Sequence, residues 1–241
     1  MQEASATLRW HMAVLIPARN EEALLRRCLH SVQQAREAVQ EVVTTDVIVV
    51  SDSSTDRTEM IAEECLGDSG MVVRTQAGRV GAARALAARH ALARYGGPME
   101  RCWLANTDAD CVVPVEWLAL QVFAARKGIS ALAGVVDVDS YEDHKPIVQT
   151  QFRLTYRIHE NGTHPHVHGA NLGVRADSYL HAGGWAALDT AEDHDLWQRL
   201  QKTTKPCVAD ARLKVITSGR RVGRAPHGFA EALAAHNEVE V

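Results

Sequence analysis

Aromatic residues make up only 5% of this chain, and no uninterrupted apolar run approaches the ~20 residues that a membrane-crossing helix requires. The runs Val47 to Val50 and Ala131 to Val136 are strand-sized, which excludes a helical transmembrane protein. Met1 to Trp10 lacks a basic stretch followed by an apolar one, so no secretory signal is read there and a cytoplasmic location is expected. Cysteine supplies no framework either. The five residues Cys28, Cys65, Cys102, Cys111 and Cys207 are odd in number and never spaced Cys-x-x-Cys, which argues against both a disulfide scaffold and a structural zinc site. Charge of one sign is also missing: 26 Lys plus Arg against 30 Asp plus Glu leave a net −4, so no nucleic-acid partner is expected.

What is present is an ordinary globular composition, 46% hydrophobic and 23% charged over 241 residues, without a linker-like stretch. One domain over 1–241 is expected. Short β-branched runs alternate with longer Ala, Leu and Arg-rich segments, the pattern of βαβ units and a largely parallel sheet. Strands are predicted at 12–16, 46–51, 71–75, 101–106 and 131–138, and helices at 21–39, 55–65, 81–95 and 115–127. The second half is less regular. It offers helices near 145–158, 192–201 and 229–235, a histidine-rich stretch from His159 to His168, and a basic segment with no regular element assigned.

In an open α/β sheet, ligands bind beyond the carboxyl ends of the strands, so the residues just after each predicted strand are the informative ones. Asp108 and Asp110 follow the fourth strand at i, i+2, where a turn can aim both carboxylates at one hard cation and at a diphosphate. A plain turn uses the same residues. Asp52 ends the second strand and is suited to accept from a nucleobase N–H. Asp56, behind Ser53, Ser54 and Thr55, reads first as a helix-start residue. Glu192 and Asp193 adjoin at a helix start, where they serve either the helix dipole or acid–base chemistry. Alternating His164, His166 and His168 would share one side of a strand and form a transition-metal site, although Pro165 interrupts such a strand and a polar acceptor pocket explains the run as well. Arg220, Arg221 and Arg224, with Ser218, either close over a diphosphate as a lid or form a solvated basic loop.

The ordered set Ile16-Pro17-Ala18-Arg19-Asn20-Glu21-Glu22, Val50-Ser51-Asp52-Ser53-Ser54-Thr55-Asp56, Gly78-Arg79-Val80-Gly81-Ala82-Ala83-Arg84 and Asp108-Ala109-Asp110 resembles the family 2 glycosyltransferases of the GT-A fold. Further on, His168-Gly169-Ala170-Asn171, Gly183-Gly184-Trp185 and Ala191-Glu192-Asp193-His194-Asp195 resemble that family's acceptor-side and acidic segments, so the resemblance spans residues 12 to about 200. It implies a Rossmann-like, mixed but mostly parallel sheet flanked by helices. Residues 12–110 would bind a nucleotide sugar and 111–241 would hold the acceptor and the catalytic groups.

The resemblance also implies roles. Pro17, Ala18, Arg19, Glu21, Asp52 and Arg79 would line the nucleotide pocket, with Arg84 at the diphosphate and Asp108 at ribose and metal. Asp110 would be the main ligand of Mn2+ or Mg2+, with His227 as a further ligand. Asp193, beside Glu192, would be the base of an inverting transfer, and His168, Gly169, Asn171 and Trp185 would meet the acceptor. The family's longer members carry Gln-x-x-Arg-Trp after the acidic motif; here Leu196-Trp197-Gln198-Arg199-Leu200 stands there, so transfer of a single sugar is expected. The donor is read as a uridine diphosphate sugar and the acceptor as a hydroxyl compound, with peripheral membrane contact left open. A retaining transferase and a non-catalytic nucleotide-sugar-binding module are the alternatives. A sugar-nucleotide pyrophosphorylase would instead open with a Gly-rich stretch where Pro17-Ala18-Arg19-Asn20 stands.

Overall fold

The computed structural model describes residues 9–224 and 228–238. Its strands are β1 (Trp10–Ala18), β2 (Val43–Asp52), β3 (Met71–Thr75), β4 (Cys102–Asn106), β5 (Ala131–Val138), β6 (Leu172–Arg175) and β7 (Cys207–Thr217). They form one sheet in the order β3-β2-β1-β4-β6-β5-β7. Every pairing is parallel except those of β6, which runs antiparallel to both β4 and β5. The expected mixed, mostly parallel sheet is therefore present.

The helices α1 (Leu25–Glu37), α2 (Thr58–Leu66), α3 (Val80–Tyr95) and α4 (Trp117–Arg126) connect the first strands. The later part adds α5 (Ile147–Thr155), α6 (Ala176–His181), α7 (Glu192–Gln201) and α8 (Phe229–Ala235). All nine residues of β1 are buried, and they divide by parity. Met12, Val14 and Ile16 pack with α1, α2 and α4 on one face, while Ala13 and Leu15 pack with α3, α6 and α7 on the other. Covering both faces in this way leaves only the strand ends open to ligands.

The helix α1 starts later than expected because the chain ahead of it is tied to the segment leading into α2. Asn20 has a φ of +52°, and the N–H groups of Glu21 and Glu22 donate to Thr58 Oγ1 (2.7 Å) and Asp56 Oδ2 (3.1 Å), so α1 begins at Leu25 rather than at 21. Asp56 Oδ1 also accepts from the N–H of Thr58 at 2.9 Å, the helix-start role read for it. The chief differences lie in the second half, where β6, α6 and β7 form in stretches for which the sequence pattern predicts no element. The run 164–168 is not a strand.

Candidate active site

A cleft opens at the carboxyl ends of β1, β2 and β4. Of the expected nucleotide residues, Pro17, Ala18, Arg19 and Glu21 line it from the end of β1, Asp52 from β2, and Arg79 from the loop before α3. Asp108 and Asp110 line it from the turn after β4. The Asp108 to Asp110 turn is held from behind by α1: Cys28 Sγ donates to the Asp108 carbonyl at 3.3 Å and Arg27 Nη2 to the Asp110 carbonyl at 3.0 Å. Neither residue was singled out in the sequence, since a thiol and an arginine inside a helix carry no motif. On the far side, backbone bonds of 2.7 and 2.9 Å join Val112 to Ile216 of β7 and bring the end of β7 against the same turn.

Asp52 stands in the cleft, but protein groups already use both its oxygens. Oδ1 accepts from the N–H of Gly78 at 2.9 Å and Oδ2 from that of Arg79 at 3.1 Å, which fixes the loop entering α3. Arg84, expected at the diphosphate, is buried behind the cleft wall. Its Nη2 lies 2.6 Å from Asp108 Oδ1 and its Nε 3.2 Å from Glu192 Oε1, with the guanidinium over the Trp185 ring. Burial opposes that charge, yet Asp108, Glu192 and Asp193 outweigh it and raise the pKa further. Glu192 is itself pushed up by burial, against the pull of Arg84. Gly169 packs on the same guanidinium: a Cβ there would sit 2.4 Å from Arg84 Nη2.

Asp193 is the second residue of α7, which follows Ala191, whose left-handed φ of +58° is a strained conformation for a residue with a side chain. The backbone N–H of Gly169 donates to Asp193 Oδ2 at 2.8 Å and that of His194 to Oδ1 at 2.8 Å. His168 neighbours this carboxylate and is held by Tyr156, whose hydroxyl accepts from the N–H of Val136 (3.0 Å) and is hydrogen-bonded to His168 Nε2 (2.9 Å). Burial lowers the His168 pKa to about 4, so the imidazole is neutral at pH 7. Tyr156 was not singled out either, because nothing local marks a tyrosine whose partners lie 12 and 20 residues away.

Asn171 corrects the expected acceptor set. It is fully buried: Nδ2 donates to the carbonyls of Val135 (2.9 Å) and Leu213 (2.8 Å), and Oδ1 accepts from Trp117 Nε1 (2.9 Å). It bridges the irregularity in the β5–β7 register and faces no solvent. Trp185, also buried, supports Arg84 rather than lining the cleft. The three histidines do not converge on a metal either. Their rings stack at 6.0 Å, with His164 Nε2 directed at the Ala133 carbonyl and His166 Nε2 at the Arg157 carbonyl. His227 lies outside the described residues.

Arg220 crosses the cleft mouth from the segment after β7. Its Nη2 is 2.8 Å from both Glu21 Oε1 and Asp110 Oδ2, and its Nη1 donates to Glu21 Oε2 at 2.9 Å. Arg224 Nη2 donates to the Asn20 carbonyl at 2.8 Å. Burial raises the Asp110 pKa to about 6, opposed by Arg220 and reinforced by Asp108 and Glu21.

The model of the family described as glycosyl transferase family 2 matches residues 13–181. The chain belongs to glycosyl transferase family 2. The match covers the part of the cleft built by β1, β2, the start of α3 and the turn after β4, and stops short of Glu192, Asp193 and the Arg220 side of the cleft. The enzyme class expected from the motifs, a glycosyltransferase of this family, is the one the match supports. No curated protein sequence matches this family 2 chain. Among solved structures it is similar to S. aureus TarS 1–349 in complex with UDP (15% identity, TM-score 0.62), over 88% of this chain and 61% of that one. It is also similar to the mannosyltransferase PcManGT from Pyrobaculum calidifontis in complex with GDP-Man and Mn2+ (20% identity, TM-score 0.65), over 96% of this chain and 70% of that one. GalNAc-T7 with UDP, GalNAc and Mn2+ gives 16% identity and a TM-score of 0.62, over 88% of this chain and 44% of that one. The chain thus spans about three fifths of the TarS fragment's length. These likenesses establish the shared fold, that of GT-A glycosyltransferases. Among the described residues, no helix is long and apolar enough to cross a membrane.

Proposed function

We propose that this family 2 chain transfers a single sugar from a nucleoside diphosphate sugar, in the first instance a uridine diphosphate sugar, to a hydroxyl acceptor with inversion at the anomeric carbon. The observation that carries the reading is one buried link. Arg84 ties Asp108, at the donor cleft, to Glu192, which precedes Asp193, so donor and acceptor sides share one rigid joint. Residues 12–110 then act as the donor half and 111–241 as the acceptor half of one domain.

Asp193 takes the proton from the acceptor hydroxyl as that oxygen forms its bond to the anomeric carbon, opposite the departing diphosphate. The N–H groups of Gly169 and His194 each occupy one position on its carboxylate and orient the remaining lone pairs. His168, neutral and fixed by Tyr156, offers the acceptor a polar contact beside that base.

Negative charge grows on the leaving diphosphate, so positive groups fixed around its oxygens stabilise the transition state more than the bound donor. Among the described residues, no three His, Cys, Asp or Glu side chains form a ready-made metal cage. The oxygen donors Asp110, Asp108 and Glu21 nonetheless suit a hard cation, and the Arg220 guanidinium already stands between Glu21 and Asp110 as a cation would. Mn2+ or Mg2+ commonly takes one or two carboxylates and completes its shell with substrate phosphate and water. Held by Asp110, with Asp108 and Glu21 beside it, it would supply positive charge against the leaving group. The PcManGT and GalNAc-T7 complexes with Mn2+ support this choice.

The test is thermal unfolding of the parent and of Asp110→Ala with uridine, guanosine, adenosine and cytidine diphosphates, with and without Mn2+. A nucleotide at 100 times its dissociation constant adds ~2.7 kcal/mol. The reading stands if one nucleotide, uridine diphosphate first, stabilises the parent in a metal-dependent way that Asp110→Ala removes. It falls if no nucleotide moves the transition. The anomer of the product then decides inversion.

A further inference from the structure

We infer that the Arg220 guanidinium is the resting occupant of the cation position between Glu21 and Asp110, and that a divalent metal reaches these carboxylates only by displacing it. The inference deepens the proposed function and rests on its reading of Asp110 as a metal ligand.

Two carboxylates close together and mostly out of water need a positive partner, because an unpaired buried charge is costly. Arg220 meets that need by itself, with both carboxylates 2.8 Å from the same nitrogen. Arg224 is a more distant neighbour, its Nε 3.7 Å from Glu21 Oε1. A metal ion and a guanidinium cannot both occupy the space between two oxygens that one nitrogen spans.

The backbone that presents Arg220 is anchored. The Gly219 N–H donates to Asp139 Oδ1 at 2.9 Å, and Asp139 Oδ2 is bound by Arg27, which also holds the Asp110 carbonyl. The Gly219 carbonyl accepts from His144 Nε2 at 2.7 Å, and His144 Nδ1 accepts from Asn237 Nδ2 at 2.9 Å. A Cβ on Gly219 would lie 1.8 Å from the Ser140 carbonyl oxygen, so this close approach admits only glycine. Exchange is therefore a matter of turning one side chain about a fixed point. Beyond that point the segment opens outward, with Arg221 and Val222 exposed.

A nucleoside diphosphate gives the guanidinium somewhere to go. Phosphate oxygens match its paired N–H groups, and a turn from Glu21 and Asp110 to the diphosphate frees the carboxylates for the metal. Metal and nucleotide then favour one another's binding, each removing what hinders the other. Metal alone has to compete with Arg220 and binds weakly.

The test measures Mn2+ binding to the full chain without nucleotide, by the electron paramagnetic resonance signal of free Mn2+, for the parent, Arg220→Gln, Arg220→Lys and Arg212→Ala. Arg212, itself exposed, pairs with half-buried Asp210 and controls for the loss of any one positive charge. Removal of a unit charge in direct contact with the ligand oxygens is expected to tighten Mn2+ binding in Arg220→Gln by about tenfold or more. Arg220→Lys and Arg212→Ala are expected to stay near the parent. Equal or weaker binding by Arg220→Gln overturns the inference, and so does an equal gain in Arg212→Ala. If Arg220→Gln does not fold, Arg220→Met, which keeps an unbranched side chain and removes the charge, carries the same expectation. Calorimetry of the parent with uridine and guanosine diphosphates in the presence of saturating Mn2+ reports on the donor reading separately. A manganese gain without nucleotide binding leaves the exchange standing and removes the donor reading; nucleotide binding without a manganese gain does the reverse.

Discussion

Arg84 and Arg220 each join two carboxylates at the carboxyl edge of the sheet, but Arg84 does so with 3% of its side chain exposed and Arg220 with 22%. Arg84 links Asp108 to Glu192, packs against Gly169 and lies over Trp185, so its surroundings admit a single arrangement. Arg220 faces the open cleft on one side, where an incoming anion offers its guanidinium an equivalent set of partners. Water access separates a charge that builds the site from a charge that ligands can redirect. Sequence alone ranks the two the other way, since Arg84 sits in the motif-bearing stretch and Arg220 in a loop.

The largest expected effect breaks the buried bridge. Arg84→Ala leaves Asp108 and Glu192 without their cation and is expected to cost about 3–5 kcal/mol of stability in urea unfolding. A loss under about 1 kcal/mol would mean that the bridge is no more structural than its exposed counterpart. Next, Asp193→Asn is expected to lower kcat by about 10²–10⁴-fold, with nucleotide binding and the melting temperature near those of the parent. Turnover close to the parent's would move the base elsewhere and detach the acceptor side from the Arg84 joint.

A third measurement follows stability against pH. The folded His168 pKa, about 4, lies below the ordinary 6.5, so the unfolded chain binds this proton first. The contribution is complete above about pH 6.5, declines as the pH falls toward 4, and changes no further below that. His168→Gln should flatten the stability profile in that window, relative to the parent. Asp193, His166, His194 and His164 act on the same ring, so an unchanged slope in the variant would assign the dependence to those neighbours. The smallest effect belongs to the most exposed of the three arginines, Arg212. Arg212→Ala is expected to leave the unfolding midpoint and turnover unchanged, and a measurable loss there would erase the link between burial and consequence drawn from the two bridges.

The donor half was legible because its signals are local. β1, β2 and β5 are apolar runs buried on both faces, and Asp52, Asp108 and Asp110 come directly after strands, where the topology of a parallel sheet puts them at one edge. β7 went unread although Arg212-Leu213-Lys214-Val215 alternates in its sequence. As an edge strand covered on one side only, it lacks the continuous apolar run that marks the central strands. β6, four residues long, is too short for any period to show. Asn171 was read as a ligand contact because buried and exposed amides look alike in a sequence; its three bonds, to α4, β5 and β7, decide that it is core.

The order of apolar runs and the acidic residues that end them follow from the sequence by itself, and with them the family and the edge of the sheet at which chemistry gathers. Backbone periodicity and strand-end chemistry act over a few residues, which is why they survive in one dimension. The pairing of Arg84 with Glu192 and of Arg220 with Glu21 spans 108 and 199 positions. Only the tertiary structure decides which arginine is shut away from water and which remains free to exchange partners. The reason is physical: the strength of a charge depends on the solvent that the fold excludes around it, and the sequence does not record that exclusion.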